Sequence, residues 1–244
     1  MTGIKLIVGN WKMNGLMADS RERAEKLVLA TKELKSAPFR TVLCPPATMI
    51  NVVAWFLKGS AIQLGGQDCH EQPQGAFTGD IAPEMLKDLG CTHVIVGHSE
   101  RRQHHKESSA LVAAKARRAH AAGLIAIICV GELDSERSTG KADSVVTTQL
   151  KDSIPDTSTP ENTVVAYEPV WAIGTGKTAS GDDIKQMHAL IRSKVGKLQI
   201  LYGGSVKASN AKEILHTANV DGVLVGGASL KAEEFMAIAE ASEG

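Results

Sequence analysis

Short apolar runs alternate with longer segments of helical period about eight times along this chain. The apolar runs are rich in β-branched residues, which is typical of strands buried on both faces. We predict strands near residues 4–9, 40–44, 61–66, 92–97, 124–129, 163–167, 198–202 and 221–225. The intervening segments are rich in Ala, Leu, Glu, Lys and Arg. They predict amphipathic surface helices, most clearly at residues 19–35, 108–122 and 182–194.

The alternation also predicts how these elements assemble. Eight strand–helix units in 244 residues give about 30 residues per unit, the size expected of a βαβ repeat. Gly90, Gly123 and Gly196 each come shortly before a predicted strand, where a glycine that ends a helix belongs. No linker-like composition divides the chain, so we expect residues 1–244 to form a single α/β domain, a (β/α)8 barrel with parallel strands. A doubly wound open sheet is the competing architecture, but no Gly-x-Gly-x-x-Gly motif follows the first strand.

Composition and charge exclude several classes of function. The chain is 43% hydrophobic and 22% charged, with 27 basic and 27 acidic residues. This balance gives no electrostatic reason to expect nucleic acid or an anionic membrane surface as a partner. No window of 18 apolar residues and no signal-peptide pattern is found, and the four cysteines lack metal-type spacing. We therefore expect a cytoplasmic protein with reduced, structural cysteines.

The segment that follows the sixth predicted strand is the most informative for chemistry. Glu168 lies where the strand should end, and Pro169 stops the strand because proline lacks a backbone donor. Residues 170–173, Val-Trp-Ala-Ile, are apolar although they lie in a loop, and Gly174 and Gly176 give that loop conformational freedom. A carboxylate at the base of an apolar lid predicts a proton abstractor that works with water excluded. Taken alone, such a residue is more often a solvated or ion-paired loop carboxylate.

Other polar residues follow the first and fourth predicted strands. In a parallel barrel the active site forms where the carboxyl ends of the strands meet. The residues placed at these ends are Asn10, Lys12, His98 and Glu100. His98 also precedes a predicted helix, whose dipole disfavours an imidazolium and so predicts a neutral ring. The other seven histidines have no comparable setting, and we interpret them as surface or structural residues.

Glycine pairs follow the last two predicted strands, at Gly203-Gly204 and Gly226-Gly227. Each pair alone is weak evidence, because such pairs are common in turns. Phosphate binding requires several backbone N–H groups to converge on one anion, which a side chain would obstruct. Barrels of this kind commonly bind phosphate in the loops after strands seven and eight. The strand ends therefore predict a proton-transfer set beside an anion-binding set.

Six motifs are distributed along the chain from residue 9 to residue 230. They are Gly9-Asn-Trp-Lys-Met-Asn14, Gly75-Ala-Phe-Thr-Gly-Asp80, Val96-Gly-His-Ser-Glu-Arg-Arg102, Ala166-Tyr-Glu-Pro-Val-Trp-Ala-Ile-Gly-Thr-Gly-Lys-Thr178, Tyr202-Gly-Gly-Ser-Val206 and Val225-Gly-Gly-Ala-Ser-Leu230. In sequence and in order, these motifs resemble the triosephosphate isomerase family, and the resemblance covers essentially the whole chain.

The resemblance implies a reaction and assigns residues to it. It implies interconversion of dihydroxyacetone phosphate and D-glyceraldehyde 3-phosphate through an enediol(ate), in glycolysis and gluconeogenesis, with no cofactor and no metal. Glu168 is the implied base and His98 the neutral electrophile and proton shuttle, while Lys12 offsets negative charge with support from Glu100. The implied substrate contacts are Asn10, Lys12, Gly174, Ser205, Gly226 and Gly227.

The resemblance further implies a homodimer and a closing lid. The loop 75–79 would insert into a neighbouring subunit, where Thr78 would reach the catalytic residues. The closed lid would be held by Tyr202 and Ser205. The segment 132–138 departs from the family pattern, and we expect this departure to affect surface contacts only.

Two alternatives remain at this point. Another phosphosugar barrel, such as an isomerase of amino-acid biosynthesis, would share the phosphate loops but would not require both the strand-one lysine and the strand-six lid. A phosphometabolite-binding barrel without turnover would be favoured by a missing base or histidine, and both residues are present. Isomerisation of glyceraldehyde phosphate by the purified protein separates the three functions.

Overall fold

The computed structural model describes residues 3–32, 39–173 and 178–243. Within these residues, strands and helices alternate along the chain. The strands are β1 (Lys5–Asn10), β2 (Phe39–Cys44), β3 (Gln63–Gly66), β4 (His93–Val96), β5 (Ile125–Val130), β6 (Thr163–Tyr167), β7 (Gln199–Tyr202) and β8 (Gly222–Val225). The α-helices are α1 (Met17–Lys32), α2 (Ile50–Leu57), α3 (Pro83–Asp88), α4 (Ser99–His104), α5 (Ser109–Ala121), α6 (Asp134–Ser138), α7 (Ala142–Ser153), α8 (Gly181–Val195), α9 (Ala208–His216) and α10 (Ala232–Glu240).

The strands close into a barrel in which every neighbouring pair is parallel. Closure is made by β1, which pairs with β2 on one side and with β8 on the other. The predicted fold class is therefore confirmed. Predicted strand limits differ from the observed ones by two residues at most, in β3, where 61–66 was expected and Gln63–Gly66 is observed.

Alternate residues of each strand build two separate apolar layers, as the period of two in a strand requires. One set points into the barrel and includes Leu6, Val42, Ile127 and Leu201. The other set packs between the strands and the surrounding helices. All four cysteines are buried and free, which agrees with the prediction of reduced, structural thiols. Burial raises the pKa of these thiols, to about 12 for Cys91.

Glycines end three of the helical segments before the chain turns into a strand. Gly90, Gly123 and Gly196 have φ angles of 89°, 74° and 59°. These angles lie in the left-handed region, which a side chain strongly disfavours. The prediction made for these three positions is confirmed. Such turns lead the chain into the amino end of the next strand. The carboxyl ends of the strands, which carry the candidate catalytic residues, therefore lie at the opposite end of the barrel.

In the part of the chain that the structure describes, no helix combines the length and the apolar composition needed to cross a bilayer.

Candidate active site

A cavity of about 410 Å³ opens at the carboxyl ends of the strands. Its walls come from the segments that follow β1, β4, β6, β7 and β8. Among the lining residues are those that the sequence assigned to one site: Asn10, Lys12, His98, Glu100, Glu168, Ser205, Gly226 and Gly227. Gly174, also assigned to this site, lies outside the described residues. The fold thus places residues that are far apart in sequence around one cavity; Asn10 and Gly227, for example, are 217 positions apart.

Glu168 follows β6 directly, and its side chain is 1% exposed. One carboxylate oxygen lies 2.8 Å from His98 Nε2, and Ser99 donates to the two oxygens from its backbone N–H (3.0 Å) and its hydroxyl (3.2 Å). Burial alone raises the pKa of Glu168, but His98, Ser99 and the Cys129 side chain outweigh burial, and the net pKa is lowered. The group is therefore a carboxylate at neutral pH, as a proton acceptor must be.

Two glycines leave room for this carboxylate and its backbone. A Cβ atom on Gly203 would lie 3.0 Å from Glu168 Cγ, and one on Gly131 would overlap the Glu168 carbonyl group. Any side chain at either position would push the β6 end out of place. These close approaches explain why the strand-seven pair begins with glycine, independently of any role in binding an anion.

His98 caps the amino end of α4. Its Nδ1 accepts a hydrogen bond from the backbone N–H of Glu100 at 3.2 Å, so the ring proton is on Nε2, which faces Glu168. Burial lowers the pKa of His98, but the Glu168 carboxylate outweighs burial, and the net pKa is raised in this arrangement. This direction is opposite to the one predicted from the helix dipole, because a single contact with a carboxylate is stronger than the field of a six-residue helix.

Lys12 is held in a backbone conformation that few lysines adopt, with φ of 52°. Its N–H donates to Asn10 Oδ1 at 3.0 Å, and its carbonyl accepts from Gln67 Nε2 at 2.8 Å. The same Gln67 amide also donates to the carbonyl of Cys44 at 2.8 Å, which ties the turn after β1 to the end of β2. This conformation directs the Lys12 ammonium to Glu100 Oε1, 2.5 Å away.

The opposite wall of the cavity is built from backbone and small residues. Ser205 is fixed through its carbonyl, which accepts from the Asn210 side chain at 3.0 Å. After β8, Gly226 and Gly227 lead into a short 3-10 helix, Gly227–Leu230, whose first N–H groups have no partner within the helix. A Cβ atom on Gly226 would lie 3.3 Å from Lys12 Cε. This wall places backbone N–H donors close to the Lys12 side chain, and such an arrangement can bind an anion.

The lid contacts a buried carboxylate at the start of segment 132–138. Glu132 is fully buried, and its Oε1 accepts from Tyr167 OH (3.1 Å), Trp171 Nε1 (2.8 Å) and Arg137 (3.3 Å). The expectation that segment 132–138 makes surface contacts only is wrong for this residue. The loop after β5 folds beneath residues 170–173, and the carboxylate has to be buried to meet two donors of the lid and its strand.

Tyr202, at the end of β7, is also fully buried. Its hydroxyl has no hydrogen-bond partner among the described residues. The ring lies beneath Gly204, where an added Cβ atom would overlap the hydroxyl and would lie 3.0 Å from Pro169 Cγ at the start of the lid. A buried hydroxyl without a hydrogen-bond partner lowers the stability of the folded state, so its retention requires an explanation.

Several residues that shape the site were missed from sequence. They are Gln67, Ser99, Glu132, Lys207, Leu224 and Glu234. Ser99 and Leu224 lie next to residues that were singled out, so the motif carried a signal for them. Gln67 and Glu132 carried none, because their roles depend on contacts between separate loops.

Three other histidines of the described part of the chain do not line this cavity. His93 and His188 are buried, and burial lowers the pKa of each to about 4. His70 stacks on Phe77 of the loop 75–79, with ring centroids 4.1 Å apart. Within residues 3–32, 39–173 and 178–243, no group of three or more His, Cys, Asp or Glu side chains is placed to hold a metal ion.

The fold and the site together define a class of protein. It is an eight-stranded parallel barrel with a buried carboxylate, an imidazole and a lysine at the strand ends, beside a wall of N–H donors. Such a barrel is an enzyme built to bind an anion and to move a proton.

Comparison with known proteins specifies the family. The family model described as triosephosphate isomerase matches residues 5–242. Triosephosphate isomerases of Rhizobium meliloti (strain 1021) and Afipia carboxidovorans are 50% and 53% identical to this chain. The alignments cover 98% and 97% of this chain and 96% of each relative. The crystal structure of triosephosphate isomerase from Bartonella henselae superposes with a TM-score of 0.90 at 44% identity, covering 99% of this chain and 100% of that one. The chain belongs to the triosephosphate isomerase family.

Proposed function

We propose that this protein interconverts dihydroxyacetone phosphate and D-glyceraldehyde 3-phosphate. The observation that carries the proposal is the direct contact of a buried carboxylate, Glu168, with the Nε2 of His98, in the mouth of a barrel that belongs to this family. The reaction moves one proton between neighbouring carbons and one between neighbouring oxygens. The site contains one base and one imidazole, which is the minimum that such a double transfer requires.

Glu168 is the proposed base. It removes a proton from the hydroxyl-bearing carbon next to the carbonyl, and the electrons of that C–H bond form the carbon–carbon double bond of an enediol(ate). The protonated Glu168 then delivers a proton to the neighbouring carbon, which gives the isomer. Because its side chain is 1% exposed, bulk water does not compete with the substrate for the carboxylate.

His98 is the proposed electrophile. Its Nε2–H donates to the carbonyl oxygen of the substrate and shuttles a proton between the two oxygens. The 2.8 Å contact with Glu168 must open for this, because a substrate that reaches both groups has to lie between them. Once it opens, the hydrogen bond to Glu168 that raises the pKa of His98 is lost. Burial, the largest cause, and Lys12 lower that pKa while Glu100 raises it, so the bound state favours the neutral ring.

Lys12 and the opposite wall complete the site. The Lys12 ammonium offsets the charge that develops on the enediolate oxygens, and Glu100 orients it through their 2.5 Å ion pair. Asn10 fixes the Lys12 backbone and contacts the substrate. Ser205, Gly226, Gly227 and Gly174 bind the phosphate, the last from a segment outside the described residues. The mechanism asks for no cofactor or metal.

The activity is tested with purified protein, D-glyceraldehyde 3-phosphate and a coupled assay for dihydroxyacetone phosphate. Glu168→Gln should lower kcat by at least about 100-fold, because loss of a general base costs roughly 10²–10⁴. Glu161→Gln is the matched control, since Glu161 is exposed and lies just before the opposite end of the same strand. Wild-type activity in Glu168→Gln would place the base elsewhere, and an inactive wild type would contradict the function itself.

The protein also acts as a homodimer in this proposal. Large apolar side chains are exposed both after Lys12 and in the loop 75–79: Met13 is 95%, Leu16 77% and Phe77 43% exposed. Such side chains mark an interaction surface when they cluster. We expect the loop to insert into the second subunit, where Thr78 supports the partner's site.

Replacing residues 75–79 with a shorter polar turn should yield monomers with greatly reduced activity. Sedimentation velocity and kcat are measured on the same samples, and Thr78→Ser, which keeps the loop and the hydroxyl, is the control. An intact dimer, or a fully active monomer, would contradict the role given to this loop. Two further parts of the proposal concern location and domain organisation. The four cysteines are buried and form no disulfide, which supports a reducing, cytoplasmic location. Residues 1–244 act as one domain.

A further inference from the structure

Taken together, the charged side chains that line the active-site cavity do not favour an anionic substrate. Its described lining contains two lysines, Lys12 and Lys207, and three carboxylates, Glu100, Glu168 and Glu234. The lysine and glutamate side chains alone sum to one negative charge. The substrate of the proposed function carries a phosphate, so capture of that substrate depends on how the few charges are placed.

Lys12 is already committed to a carboxylate. Its ammonium lies 2.5 Å from Glu100 Oε1, so much of its field is cancelled for an approaching anion. Lys207 differs, because no carboxylate of the described residues lies within ion-pair distance of it. It is exposed and directly precedes α9, on the same wall as Ser205 and Gly226.

Glu234 lines the same cavity and carries a negative charge. It belongs to the first turn of α10 and is half-buried, and none of the described lysines or arginines forms an ion pair with it. Its neighbour Glu233 does pair, with Lys26 at 3.7 Å, and does not line the cavity. Among the described residues, the rim of the site therefore carries one cation and one anion without an ion-pair partner.

We propose that Lys207 is the cation that draws the substrate phosphate into the site, and that Glu234 opposes it, so that this pair sets the rate of substrate capture. The inference rests on the proposed function, because it needs a phosphorylated substrate. It assigns these side chains to the encounter and not to the chemical step. Steering by a few charges raises the association rate and falls steeply with ionic strength.

The test compares Lys207→Gln and Glu234→Gln. Glu234→Gln removes one charge at constant side-chain length, and Lys207→Gln removes one charge while shortening the side chain by one atom. The backbone N–H of residue 207 still donates to Asn210 Oδ1 at 2.8 Å. Lys212→Gln on α9 and Glu233→Gln on α10 are the controls, since neither lines the cavity. kcat and kcat/KM are measured with D-glyceraldehyde 3-phosphate at ionic strengths of roughly 10 mM and roughly 300 mM, where the Debye length falls from about 30 Å to below 8 Å.

Lys207→Gln should lower kcat/KM by about three- to sixfold at low ionic strength and by less than about 1.5-fold at high ionic strength, with kcat unchanged. Glu234→Gln should raise kcat/KM at low ionic strength by about two- to fourfold. With D-glyceraldehyde, which lacks the phosphate, neither substitution should change kcat/KM.

Changes in the same direction for both variants, an effect that persists at high ionic strength, or an equal effect on D-glyceraldehyde would overturn the inference. So would an unchanged kcat/KM in Lys207→Gln at low ionic strength. Each of these results is read against an active wild type. Loss of the proposed function itself would show as an inactive wild type and is thereby distinguished.

Discussion

The buried hydroxyl of Tyr202, which has no partner among the described residues, leads to one prediction for stability and an opposite one for catalysis. The hydroxyl is fully buried and has no hydrogen-bond partner among the described residues, directly beneath Gly204 and beside Pro169 of the lid. If its partner is supplied only when the lid packs over bound substrate, the free protein carries a cost that is repaid in the closed state. Tyr202→Phe removes this hydroxyl and keeps the ring.

The free protein should then become more stable. A buried hydroxyl without a partner costs roughly 1–3 kcal/mol, so Tyr202→Phe should raise the free energy of unfolding by about 1 kcal/mol. Tyr167→Phe is the matched control, because Tyr167 pairs with Tyr202 across β6 and β7 and its buried hydroxyl donates to Glu132 at 3.1 Å. That control should lower the free energy of unfolding by about 1 kcal/mol. Denaturant unfolding at one fixed protein concentration measures both.

Catalysis should change in the other direction. Loss of a hydrogen bond made only in the closed state, about 0.5–1.5 kcal/mol, lowers kcat roughly 2- to 13-fold in Tyr202→Phe. Binding of an enediolate mimic, measured by calorimetry, should weaken more than binding of inorganic phosphate, because only the mimic depends fully on closure. A Tyr202→Phe protein that is destabilised as much as Tyr167→Phe would refute the reasoning. So would equal weakening of both ligands, which would mean that Tyr202 acts on phosphate directly.

Three further predictions concern the base, its neighbouring lysine and the buried histidines. Glu168→Asp should withdraw the carboxylate by roughly 1 Å and lower kcat by about 10²-fold or more while an inhibitor still binds; near-normal kcat would mean that the position of this carboxylate is unimportant. Gln67→Ala should lower kcat/KM by about tenfold, because the Lys12 carbonyl loses a hydrogen bond of 2.8 Å. Unchanged kinetics would show that the turn after β1 keeps its conformation without Gln67. Burial lowers the pKa of His93 and His188 to about 4, below the unfolded value, so the unfolded chain takes up protons first and stability falls as pH drops from about 6.5 towards 4. Each histidine should lower the free energy of unfolding by about 2 kcal/mol between pH 7 and pH 5, and His188→Asn should remove one such contribution; an unchanged pH dependence in that variant would contradict the assignment.

Most of the fold was accessible from sequence because its determinants are local. Apolar β-branched runs of strand length, separated by amphipathic segments, leave few arrangements other than a parallel sheet, and eight repeats close it. The ends of those strands then place Lys12, His98 and Glu168 at one mouth without any knowledge of side-chain contacts. Topology alone was sufficient for this part of the site.

The rest depends on contacts between loops, which no local pattern encodes. The departure in segment 132–138 was expected to affect surface contacts only, but Glu132 is buried and accepts hydrogen bonds from the lid residue Trp171 and from Tyr167. The raised pKa of His98 was missed because it comes from the side chain of Glu168, 70 residues away in sequence. Gln67 joins the ends of two strands through backbone carbonyls, so its own sequence neighbourhood carries no sign of the role.

The central claim is that Glu168 transfers a proton between carbons, and solvent exchange tests it most directly. Purified protein converts D-glyceraldehyde 3-phosphate in D₂O, and NMR records deuterium at the carbon that receives the proton. Because the proton resides on a carboxyl group between the two transfers and exchanges with solvent there, the account predicts product labelled with solvent deuterium at that carbon. It also predicts that Glu168→Gln forms labelled product at least about 100-fold more slowly than the wild type. Labelled product formed by Glu168→Gln at the wild-type rate, or product formed by the wild type without any deuterium, as in a direct hydride shift, would contradict it.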